Sequence, residues 1–126
     1  MPISAVFDGL PGEGVLYKLN LGKDTSGNLR GIRDLVPYMG SFLVLAGPVT
    51  DPPDGYGIRK GDYTVMSWNR TGITGRFDLE GYGDKVKPEA ILPLEEKVGK
   101  FRALILFDGP DEGRPTPVAV ELRQDG

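Results

Sequence analysis

Apolar side chains fall on alternate positions in four separate stretches of this chain, and that period of two is the signature of strands with one buried face. Val15, Tyr17, Leu19 and Leu21 alternate with Leu16, Lys18 and Asn20. Tyr63, Val65 and Ser67 oppose Thr64, Met66 and Trp68. Ile73, Gly75, Phe77 and Leu79 alternate with Thr74, Arg76, Asp78 and Glu80, and Val118, Val120 and Leu122 with Ala119, Glu121 and Arg123. The unbroken runs FLVLA (42–46) and ALILF (103–107) are too short for helices and read as strands buried on both faces. Shorter strands at Ser4–Phe7, Gly31–Val36 and Glu89–Leu94 bring the expected total to about nine. The only helical turn expected is 94–98, stopped by Gly99. With 19 Gly and 11 Pro in 126 residues, turns are frequent, and Asn69-Arg70-Thr71-Gly72 predicts an antiparallel hairpin over 62–80.

Length sets one domain, 1–126, with a modest core. The absence of Cys and His removes disulfides, thiolate or imidazole metal sites, Cys nucleophiles and every Ser-His-Asp arrangement. A net charge of −3 leaves no basic footprint, so nucleic acid is not an expected partner. The start carries no basic n-region, and no apolar run approaches the ~20 residues that cross a bilayer. A soluble, cytoplasmic protein without membrane association is expected.

An internal repeat organises the chain. RGIRDLVPYMGSFLVLAGP (30–48) parallels EAILPLEEKVGKFRALILFDGP (89–110), with Gly31-Ile32 set against Ala90-Ile91 and Gly47-Pro48 against Gly109-Pro110. The repeats span about 30–80 and 89–123, with strands in 4–21 completing a set. Each unit has the size of a large four-stranded propeller blade. The series GIRDL (31–35), LVLAGP (43–48), YTVMSW (63–68), KPEAILPL (87–94) and LILFDG (104–109) resembles the C-terminal part of an uncharacterised bacterial β-propeller-like family, a domain of unknown function. The resemblance covers roughly 14–110 and implies a fold rather than an activity. Members of that family are considerably longer.

The expected fold is therefore all-β, about two propeller-like four-stranded antiparallel blades, with a β-sandwich or barrel as the alternative. Two blades cannot close a ring, so self-association of several copies into one, for instance three chains of two blades, is the expected partner relation. In a propeller the first strand of each blade lines the channel. That places Arg30, Arg33, Asp34 and Glu89 as candidate ligand-binding residues, against a structural reading in which Arg33 pairs with Asp34 or Glu89.

No catalytic motif stands out. Asp51 and Asp54, and Asp108, Asp111 and Glu112, offer oxygens to Ca²⁺ but lack EF-hand spacing, and the same residues suit tight turns. No resident cofactor is expected on that basis. Aromatic residues on strands read as core, leaving Tyr56 and Tyr82 as candidate exposed contacts. The reading is a non-enzymatic binding or assembly module, compatible with a small-molecule ligand. The alternative is a metal-dependent, carboxylate-based hydrolase of phosphate esters or lactones using Glu89 with Asp34.

Overall fold

The computed structural model describes residues 3–10, 13–49, 57–81, 86–97, 99–108 and 115–123, with side chains described outside 3–18 and 108. Among the described residues nine strands follow one another: β1 (Ile3–Leu10), β2 (Glu13–Leu19), β3 (Arg30–Tyr38), β4 (Ser41–Pro48), β5 (Thr64–Trp68), β6 (Ile73–Asp78), β7 (Lys87–Pro93), β8 (Lys100–Asp108) and β9 (Thr116–Glu121). They form antiparallel sheets of sequential neighbours, β1-β2, β3-β4-β5-β6 and β7-β8-β9, none of them closed. The chain is all-β, and no helix occurs among the described residues. Within the chain β1 and β2 pair with each other and add no strand to either larger sheet.

Turn chemistry fixes the registers. Met39 (φ 50°) and Gly40 (φ 75°) are both left-handed, the conformation a two-residue hairpin turn needs to match strand twist, and Tyr38 pairs with Ser41 across it. At the β5–β6 turn, Asn69 Oδ1 accepts hydrogen bonds from Thr71 N, Thr71 Oγ1 and Gly72 N, as the sequence predicts for this hairpin. Arg70, left-handed at φ 76°, lays its guanidinium 5.1 Å from the centre of the Phe42 ring. The helical turn expected at 94–98 does not form in its described part. Residues 94–95 bend and 96–97 run irregularly, and the Tyr38 hydroxyl holds Lys97 by donating to its carbonyl and accepting from its N at 2.8 Å. A tertiary contact thus overrides a weak local preference.

Two apolar cores lie on opposite faces of the four-stranded sheet. Leu43, Leu45 and Val65 meet Phe101, Ala103, Ile105 and Phe107 of β8, so the β3–β6 and β7–β9 sheets pack face to face. On the other side Val44, Ala46, Met66 and Trp68 are covered by Leu19 and Leu21. Residues 43–46 of the FLVLA run are consequently buried on both faces, as expected from a continuous apolar strand. ALILF is not. Ala103, Ile105 and Phe107 are buried, but Leu104 is half-buried and Leu106 is 36% exposed, because no described layer lies on that side.

The two packed sheets are joined along both edges. Near β3 and β7, Asp34 accepts a hydrogen bond from Ile91 N at 2.9 Å. At the opposite edge, Arg76 of β6 and Arg123, just beyond β9, exchange both backbone hydrogen bonds at 2.9 and 3.0 Å. Prolines sit on three of the four edge strands of these sheets: Pro37 on β3, Pro88 and Pro93 on β7, and Pro117 on β9.

Candidate functional site

The four candidate residues divide between two places. Arg33 is the extra residue of a bulge between Ile32 and Asp34 in β3, and Glu89 is the extra residue of a bulge between Pro88 and Ala90 in β7. Bulges re-aim side chains, and both residues are exposed. The Arg33 guanidinium donates to the Pro48 carbonyl and lies 5.9 Å from the Tyr63 ring centre. Both Asp34 oxygens are engaged by backbone amides, Oδ1 by Leu35 N and Oδ2 by Ile91 N, each at 2.9 Å. Asp34 therefore works as a tether between sheets. No hydrogen bond or ion pair joins Arg33, Asp34 and Glu89 to one another, so the charge pairing weighed for Arg33 is replaced by a carbonyl and a ring.

Arg30 lies at the start of the same strand but turns inward, 2% exposed. Its Nη1 donates to the Leu21 carbonyl at 2.9 Å, Nη2 to the Gly61 carbonyl and Nε to the Asp62 carbonyl at 3.4 Å. A planar five-donor fork suits this task, drawing two chain segments onto β3. Burial lowers the Arg30 pKa, the neighbouring Arg76 lowers it further, and Asp78, Asp24 and Asp62 oppose both.

Around Arg30 lies a polar framework that local sequence patterns did not single out. Asp62, 5% exposed, accepts from Thr25 N (2.9 Å) and Thr25 Oγ1 (2.6 Å) on one oxygen and from Arg59 N (2.9 Å) on the other. Burial pushes its pKa up, but these hydrogen bonds and the Arg59 charge outweigh that and hold it below the ordinary aspartate value. Asp78 is likewise pushed up by burial and drawn lower overall by Arg76, Thr64 and Arg30. Asp24 closes its own loop, with Oδ1 accepting from Ser26 N (2.8 Å) and Asn28 N (3.0 Å).

Among the described residues no group of three or more acidic side chains is placed to hold a metal ion. Tyr56, Tyr82, the 51–54 loop and 109–112 lie outside the described residues, as does the Asp108 side chain. No described helix is long and apolar enough to cross a membrane. Comparison with protein-family models, curated proteins and solved structures finds no match.

Among the described residues, no layer covers the outer face of the β7–β9 sheet. Leu92 (54% exposed) and Leu106 (36%) lie there beside half-buried Leu104 and Ala90. Leu94, 43% exposed, follows β7.

Proposed function

We propose that the chain is a non-enzymatic binding or assembly module, a propeller-like stack of sheets that associates with copies of itself into a closed ring. One observation carries this reading, the equivalence of positions in the two large sheets. Aligned on their bulges, Arg33 matches Glu89, and the following Asp34-Leu35-Val36-Pro37 matches Ala90-Ile91-Leu92-Pro93. Cross-strand partners then match as well: Leu45 opposite Asp34 corresponds to Leu106 opposite Ala90, and Leu43 opposite Val36 to Leu104 opposite Leu92. This bulge alignment differs from the sequence alignment of Gly31 with Ala90.

Leu43 and Leu45 are the residues through which the four-stranded sheet receives its neighbour. Their counterparts Leu104 and Leu106 face outward. A head-to-tail stack of equivalent sheets leaves one such face open at its end, and a second copy continuing the stack would cover it. Fully burying a leucine is worth about 1.5–3 kcal/mol, so covering Leu92, Leu104 and Leu106 supplies a useful part of an association energy. The structural use of the Asp34 carboxylate, with one backbone amide on each oxygen, supports the non-enzymatic reading over the carboxylate-based one.

Light scattering of the purified chain is the test. A species of several copies is expected, reduced to the 13.7 kDa monomer by the paired substitutions Leu92→Lys and Leu106→Glu. A wild-type chain that stays monomeric at its highest soluble concentration overturns the ring.

A further inference from the structure

A cleft of about 320 Å³ lies where the chain beyond β9 meets β6, lined by Lys60, Arg76, Phe77, Asp78, Glu121 and Arg123. Two arginines stand directly opposite each other here, because Arg76 and Arg123 form a hydrogen-bonded antiparallel pair. Residues so paired project to the same side, and like charges in that relation repel unless counter-charge is supplied. Arg76 has its counter-charge: Nε meets Asp78 Oδ1 at 3.0 Å and Nη2 meets Oδ2 at 3.4 Å. Arg123 has no such pairing: among the described residues its exposed guanidinium makes no hydrogen bond or ion pair. Among the described residues the Lys60 ammonium pairs with Glu80 alone, at 3.3 Å, with both side chains more than 60% exposed, a pair that gives way readily. Buried Arg30 stands close enough to Arg76 for the two cations to disfavour each other electrostatically.

We propose that this cleft binds a small oxyanion, a carboxylate or phosphate group, with Arg123 and Lys60 as its cationic contacts and Arg76 held in place by Asp78. A guanidinium presents parallel N–H donors that match two oxygens of such a group. The volume falls at the lower end of small-molecule sites, which suits a small anion rather than a polymer. Glu121, two residues before Arg123 in the same lining, repels an anion and sets its affinity low. The proposal does not rest on ring assembly, since every residue in it comes from one chain.

The test is titration of the full chain with inorganic phosphate and, separately, succinate, read by backbone amide NMR shifts against sodium chloride at equal ionic strength. Saturable shifts centred on the amides of 76–78 and 121–123 are expected, and the stronger of the two titrants shows which oxyanion the site prefers. Arg123→Gln weakens binding about tenfold or more through loss of a charge-assisted pair. Glu121→Gln tightens it several-fold by removing a repelling charge. Arg123→Gln preserves the backbone bridge, and an unchanged melting midpoint separates lost binding from lost folding. Shifts that do not saturate, that match those in chloride, or that persist unchanged in Arg123→Gln overturn the proposal.

Discussion

Replacing Gly47 with alanine probes how closely β4 and β5 are fitted together. The Gly47 backbone lies outside the left-handed region, so alanine is compatible with it, and in an unobstructed strand the change would stabilise by about 0.5–1 kcal/mol. Here the new Cβ would fall 2.3 Å from Tyr63 Cε2 and 2.4 Å from Cδ2. Ordinary carbon contacts are about 3.5–4.0 Å, so the ring must retreat by more than about 1 Å. Tyr63 is 2% exposed, packed in the core between sheets and overlain by Arg33, and has no open direction in which to move. Overpacking of this kind costs about 1–3 kcal/mol. In a Tyr63→Ala background the obstruction is gone and the sign should reverse, giving a coupling of about 2 kcal/mol or more between the two positions. Urea denaturation of the wild type, both single variants and the double variant measures it, with an osmolyte present if Tyr63→Ala is only marginally folded. A Gly47→Ala protein within about 0.5 kcal/mol of wild type, or an equal effect in both backgrounds, would refute the reasoning.

The sheet tether gives a second expectation. Asp34→Ala leaves the Ile91 amide without its acceptor and should cost about 1–3 kcal/mol by urea denaturation, with faster hydrogen exchange at that amide, whereas Asp34→Asn retains an acceptor and loses less. Asp62 gives a third. Its folded pKa lies below the unfolded value, so its stabilisation is complete above the unfolded pKa near ~3.9 and is lost as pH falls through the folded one. Melting midpoints of Asp62→Asn should therefore fall less steeply with acid than those of wild type. Parallel curves for the two proteins would show that the carboxylate carries no such linkage.

Alternation made most of the strands readable, and the 62–80 hairpin follows from local turn chemistry. Less legible was which apolar strand has a neighbour on each side. FLVLA and ALILF are equally apolar, yet 43–46 are buried on both faces and Leu106 is not, because coverage depends on segments far away in the chain such as Leu19 and Leu21. Arg30 and Asp62 were opaque for a similar reason. Arg30 meets carbonyls 31 and 32 residues away, and Asp62 meets Thr25 across 37 residues, so no short motif announces either. Charged residues on a first strand invited a ligand reading, while the bulge at Arg33 and the inter-sheet reach of Asp34 gave them structural work. The Arg76–Arg123 pairing had no local signal at all, since it joins β6 to the chain beyond β9.

The prolines and bulges along β3, β7 and β9 bear on how such a chain stays out of fibrils. A proline cannot donate to an incoming strand, and a bulge breaks the regular ladder a template needs, so these rims make poor seeds for cross-β growth. Leucine-rich surface can then remain in water with less danger of runaway strand addition. The self-association proposed above would use the flat of the sheet, and it ends once the exposed leucines are covered.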